Sequence, residues 1–257
     1  MNSTKSLHRR SPLIGGRNAA VSDFPYFVAV EFLQIQICGG SIVSNKFVLT
    51  AAHCFELSNK TDAYKIRSGT EIEGKGGMLH SLVNFEKHPS FREDGVGGLF
   101  NDIALARIEQ IFKFDQFRQR INLFAAGEKC EDKTIATIVG FSIRKYENSH
   151  RLSSTTIRIV SHSYCNASWI HLDGSPIPDT VLCAGVANGS RDTCGGDSGG
   201  PLIIDKRLAG ITSFGVDCGT YSLPSVYTEV ASFRQWIDDR ITPKRRFEYN
   251  ECKVVNS

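Results

Sequence analysis

Short apolar segments rich in β-branched residues recur along this 257-residue chain, and no other feature constrains its fold as much. They occupy 26–31, 41–50, 78–84, 103–108, 134–139, 155–160, 201–204, 208–214 and 225–230. Each is bounded by Gly, Asn or Ser clusters, which is how strands between turns read. So many of them predict an all-β fold, a barrel or a sandwich. Helical periodicity is clear only over 232–241, where Phe233, Trp236, Ile237 and Ile241 fall on one face. Ser232 is the expected N-cap there and Pro243 the expected stop. No internal repeat is evident.

Composition is that of a globular protein, with 41% hydrophobic and 22% charged residues. A net charge of +3 is too small to argue for nucleic acid or a membrane surface, and no apolar run approaches a membrane span. The first twelve residues are polar and basic, unlike the apolar core of a secretion signal. If the protein is secreted, its signal has been removed or lies outside this chain. Eight cysteines and sequons at Asn2, Asn59, Asn166 and Asn188 suggest an oxidising, secretory setting. Spacing alone does not choose among the cysteine pairings. A metal site reads poorly, since no CxxC or His-rich spacing occurs. The basic triplet 244–246 reads as a solvated tail.

Three short motifs carry chemistry. Ser198 sits in Asp192-Thr193-Cys194-Gly195-Gly196-Asp197-Ser198-Gly199-Gly200-Pro201, with Thr50-Ala51-Ala52-His53-Cys54 upstream and Asn101-Asp102-Ile103-Ala104-Leu105 between. A serine hydroxyl is a weak nucleophile at neutral pH. It needs a base within hydrogen-bond reach, and the base needs an orienting partner. His53 is the candidate base and Asp102 the candidate orienter, in an order known for such triads. The backbone N–H groups of Gly196 and Ser198 are the candidate oxyanion hole. The other six histidines read as structural.

On these motifs the chain, from about residue 13 to 241, resembles the trypsin/chymotrypsin family of serine endopeptidases, in its trypsin-like branch. The resemblance implies two six-stranded antiparallel β-barrels and a C-terminal α-helix. His53 and Asp102 would lie in one barrel, Ser198 in the other, and the site between them. Residues 1–12 would be a propeptide remnant and 13–241 the protease domain. Its barrels would span about 13–115 and 125–230, joined by 114–124, with 242–257 an extension. The resemblance also implies disulfides Cys38–Cys54, Cys165–Cys183 and Cys194–Cys218. Each closes a loop of roughly 16 to 24 residues, a constraint of about 3 kcal/mol. Cys130 and Cys252 match no usual pairing position. They are expected to pair with each other and tie down the tail; the alternatives are a free thiol or a bond to another chain.

Asp192, with Thr193 beside it, stands where trypsin-like members carry the acid that binds substrate Arg or Lys. Ser213 and Gly215 would form an open pocket wall. Ser225 stands where such enzymes usually have Gly, and its hydroxymethyl group would intrude. Asp197 would receive the new N-terminal ammonium of Leu13 after activation. Pro12 precedes Leu13, which suggests cleavage after Arg10 and then removal of Ser11-Pro12 by an X-Pro dipeptidyl peptidase. The Gly-rich stretch 66–80 resembles the arthropod trypsin-like pattern, and Glu71 with Glu73 makes a poor calcium cage. The expectation is a secreted, glycosylated zymogen cutting after Arg or Lys, monomeric and without cofactor or metal. Its partners would be protein or peptide substrates and protein protease inhibitors. The alternatives are a catalytically weak or inactive homologue acting as a binding module, or a protease of non-tryptic specificity.

Overall fold

Twelve strands in two sets of six build the framework of the computed structural model, which describes residues 17–95, 97–142, 151–174, 176–185, 198–215 and 223–242. The first set is β1 (Phe27–Phe32), β2 (Ile35–Ile42), β3 (Phe47–Thr50), β4 (Tyr64–Ser68), β5 (Met78–Lys87) and β6 (Ala104–Ile108). They pair antiparallel in the order β1-β2-β3-β6-β5-β4, and β4 returns to β1 to close a barrel. The second set is β7 (Ile135–Ser142), β8 (Arg151–Val160), β9 (Val181–Gly185), β10 (Pro201–Ile204), β11 (Arg207–Phe214) and β12 (Ser225–Glu229). Its order is β8-β7-β10-β11-β12-β9, closed by β9 against β8.

β4 shows why such sequences form barrel walls. Tyr64, Ile66 and Ser68 point inward and are buried, while Lys65 and Arg67 point outward, the period-two alternation of a half-buried strand. Its two charges in five residues hid it from the apolar pattern. β9 was also missed, being short and ending in small residues. The segment 41–50 resolves into the end of β2, a turn and β3.

A twelve-residue helix, α1 (His162–Asp173), is a further addition. Its ends carry ordinary signals: Ser161 Oγ accepts from the Tyr164 N–H, and Gly174 closes the helix at φ +80°. Its apolar residues do not line one face, since Tyr164 and Ile170 are exposed while Cys165 and Trp169 are buried, so periodicity gave no signal. The last helix differs in detail. Val230–Phe233 is a 3-10 turn and α2 runs Arg234–Ile241. Ser232 is therefore not the N-cap; its hydroxyl donates instead to the buried Glu229 carboxylate, which needs donors more than the helix end does. Pro243 lies outside the described residues. Phe233 and Ile237 pack into the same buried cluster as the first barrel's core, joined there by Phe141, Leu152 and Ile211 of the second barrel.

Candidate active site

His53 lies just past β3, on a 3-10 turn spanning Ala52–Phe55. Three of the four turn residues are buried: Ala52, Cys54, which is disulfide-bonded to Cys38 on β2, and Phe55, stacked on Phe85 at 4.2 Å. The backbone is thus fixed on both sides of the histidine, whose side chain keeps 17% exposure. The Cys38 and Cys54 sulfurs lie close to the ring, but they are bonded to each other and offer no thiolate to a metal.

Asp102 precedes β6. Asn101 enters the left-handed region at φ +52° and its side-chain amide donates to the Ser90 carbonyl at 2.9 Å, setting the turn. Asp102 is 1% exposed, and its side chain is wholly buried. Oδ1 accepts from the His53 backbone N–H at 2.9 Å, while Oδ2 lies 2.7 Å from His53 Nδ1 and accepts from Ser213 Oγ at 2.6 Å. Thr228 Oγ1 donates to the Asp102 carbonyl at 2.8 Å. Desolvating a carboxylate costs several kcal/mol, and donors to a charged acceptor each offset about 1.5–3 kcal/mol of that. Burial disfavours the charged form of Asp102, but the His53 charge and these hydrogen bonds together hold its pKa below the ordinary value. For His53 burial pulls the pKa down, and the Asp102 charge and hydrogen bond outweigh it, leaving the pKa raised. With Nδ1 committed to Asp102, Nε2 is the ring nitrogen left for another partner.

Backbone contacts fix Ser198 against the first barrel. Its carbonyl accepts from the Gly39 N–H on β2 at 2.8 Å. Gly199 sits at φ +79°, and a Cβ there would lie 2.2 Å from Thr50 Oγ1 and 2.7 Å from the Gly39 carbonyl. No other residue fits. Gly199 N–H also donates to the Thr212 carbonyl at 2.7 Å, and Thr212 N–H returns to the Gly200 carbonyl at 2.9 Å. The Ser198 turn is therefore held between β11 and a strand whose Cys38 is bonded to the residue next to His53. Such a constellation can transfer a proton from a hydroxyl to an imidazole and stabilise the imidazolium that results.

Ser213 and Thr228 come from the second barrel, so the buried acid is held from both sides. Ser213 was expected only as a pocket wall, and Thr228, Gly39 and Thr50 were not expected at all. Spacing carries no signal for a contact between residues 111 positions apart. Gly215 and Ser225 do face each other, with Ser225 Oγ 3.4 Å from where a Gly215 Cβ would be. Behind them α1 braces the wall: Trp169 Nε1 donates to the Pro224 carbonyl at 3.1 Å, and its ring meets Phe214 edge-on at 5.2 Å. Cys165–Cys183 ties α1 to β9. A small apolar cleft lies beside the site, lined by Leu99, Phe100, Trp169, Ile177, Pro178 and Phe214.

Leu13, Asp192, Thr193, Cys194, Gly196, Asp197, Cys218 and Cys252 lie outside the described residues. Cys130 packs against the second barrel's apolar cluster and is bonded to no cysteine among the described residues; Cys252, the partner expected for it, lies outside them. Burial, with Glu229 and Glu128 nearby, pushes its pKa to about 11. Glu71 accepts from the Val21 N–H at 3.0 Å and meets Arg151 at 3.3 Å, so protein donors engage its carboxylate.

A family model described as Trypsin matches residues 13–237. The chain is 32% identical over 235 residues to the vitellin-degrading protease of Bombyx mori, covering 91% of this chain and 87% of that one. It is 34% identical over 229 residues to trypsin epsilon of Drosophila erecta, covering 88% and 86%. Among solved structures, neuropsin, a serine protease expressed in the limbic system of mouse brain, superposes with a TM-score of 0.74 at 30% identity, over 88% of this chain and 98% of that one.

Proposed function

We propose that this chain, which belongs to the trypsin family of serine endopeptidases, hydrolyses peptide bonds after Arg or Lys through Ser198, His53 and Asp102. The observation that carries this reading is the buried Asp102 carboxylate held jointly by His53 and Ser213, one from each barrel. In this mechanism His53 Nε2 takes the Ser198 proton as the hydroxyl oxygen attacks the scissile carbonyl. The Gly196 and Ser198 N–H groups receive the oxyanion. Collapse expels the amine, which takes the proton from His53, and leaves an acyl-serine. A water molecule, deprotonated by the same imidazole, then frees the acid and regenerates the serine.

Specificity is assigned to Asp192, whose carboxylate would pair with the substrate guanidinium or ammonium. Ser213 and Gly215 would be its wall and Thr193 its neighbour. The placement of the Ser225 side chain opposite Gly215 favours one second reading, a pocket narrowed enough to alter the Arg/Lys ratio or the charge preference itself. The protein would be a secreted glycoprotein made as a zymogen, working as a monomer on protein substrates and checked by protein inhibitors. Antiparallel pairing of Arg17 and Asn18 with Ser154 and Ser153 on the second barrel supports a route by which the Leu13 ammonium would reach Asp197.

The test is hydrolysis of peptide amides ending in Arg, Lys, Phe or Leu by enzyme starting at Leu13, with Ser198→Ala as blank. Fast Arg or Lys turnover absent from the blank is expected. Phe or Leu turnover would reject the Asp192 assignment, and no turnover by folded protein would reject catalysis. Terminal sequencing of the active form should give Leu13; a fully active enzyme beginning at Ser11 would sink the two-step activation.

A further inference from the structure

The sequons Asn59-Lys60-Thr61 and Asn166-Ala167-Ser168 match the same pattern, but the fold treats them differently. Asn166 lies inside α1 and is half-buried, and both polar side chains of its sequon are engaged. Asn166 Oδ1 accepts from the Ile177 N–H at 3.0 Å, and Ser168 Oγ donates to the Tyr164 carbonyl at 2.8 Å. The neighbouring Cys165 is fully buried and bonded to Cys183. A sugar on Asn166 would have to leave a helix packed under the 176–178 segment.

Asn59 has none of these ties. It is exposed, on the loop leaving the His53 turn, one residue before the short turn Thr61–Ala63 begins its cap. Among the described residues neither its side chain nor that of Thr61 has a hydrogen-bond partner. The loop itself is firm. Ser58 donates its N–H to the hydroxyl of buried Tyr64 at 2.9 Å and accepts from that hydroxyl at 3.1 Å, while Lys60 N–H is held by Ser58 Oγ at 3.0 Å. A fixed backbone therefore presents an unpartnered asparagine amide to solvent beside a half-buried Thr61 whose hydroxyl is also unpartnered among the described residues, the surface-loop setting an N-linked glycan needs. We propose that Asn59 carries an N-linked glycan and that Asn166 stays bare. This rests on the reading of the protein as a traveller of the secretory route.

The full chain, expressed in cultured eukaryotic cells behind the host's cleavable secretion signal, tests the proposal. Peptides released by peptide:N-glycosidase in heavy-oxygen water report each sequon separately, so Asn2 and Asn188 do not confuse the result. The Asn59 peptide should carry the deamidation mark, and the mark should vanish in both Asn59→Gln and Thr61→Ala. The Asn166 peptide should stay unmarked. An unmarked Asn59 in protein recovered from the medium, or a marked Asn166, overturns the proposal. The host signal delivers the chain whatever its natural destination, so that failure counts against the glycan. Absence of the natural protein from extracellular fluid would count against secretion instead.

Discussion

Two histidines of the first barrel sit in opposite chemical settings. His53 stands at the rim against the second barrel, partly open and bonded to a buried carboxylate. His80 lies inside on β5, 1% exposed, with Nε2 2.9 Å from Ser68 Oγ and its ring 4.6 Å from Phe112. Burial acts on both to disfavour the charged ring. At His80 it prevails, with Arg118 adding to it, and the pKa falls. At His53 the Asp102 anion reverses the outcome. An imidazole is turned into a base for chemistry by the acid behind it and by one open nitrogen.

The largest effect expected from breaking this contrast is at the rim. His53→Ala should lower kcat by about six orders of magnitude while leaving the folded state intact by circular dichroism. Its counterpart His80→Ala should leave activity per folded molecule unchanged and destabilise by about 1–3 kcal/mol, since Ser68 loses its buried partner. Denaturant unfolding alongside active-site titration separates the two. Equal losses of activity would erase the distinction.

Asp102→Asn keeps the shape but removes the charge that raises His53. A fall in kcat of about four orders of magnitude near neutral pH is expected. Ser213→Ala removes one of the three donors to that carboxylate. Loss of a hydrogen bond to a charged group should then lower kcat/KM roughly tenfold. A loss confined to KM would make Ser213 a pocket wall only.

The smallest effects are in pH dependence. Raised in the fold, the His53 pKa gives stability that is full below its ordinary 6.5 and fades as pH rises through the folded value. Activity needs the neutral ring, so kcat/KM should climb over that same rise and sit above 6.5. His80 has the opposite sign. Its depressed pKa means the unfolded chain binds the extra proton first, so stability should fall as pH drops below 6.5 toward the folded value. His80→Asn should flatten that acid-side slope relative to wild type in urea titrations at a series of pH values.

The sequence by itself determined the strand-rich class, the helix face of Phe233, Trp236 and Ile237, and the His53, Asp102 and Ser198 motifs, because periodicity and local motif chemistry are written in neighbouring residues. It also supplied the resemblance from which Cys38–Cys54 and Cys165–Cys183 followed. Tertiary structure alone decided that Ser213 and Thr228 hold Asp102, that Gly199 lies so close to Thr50 and the Gly39 carbonyl that no side chain fits there, and that Ser232 serves Glu229 rather than α2. It likewise decided which histidine has a carboxylate behind it. These are contacts between segments tens of residues apart, made when one barrel docks on the other. The free energy of burying a charge depends on every donor that reaches it, and those donors come together only in the folded chain.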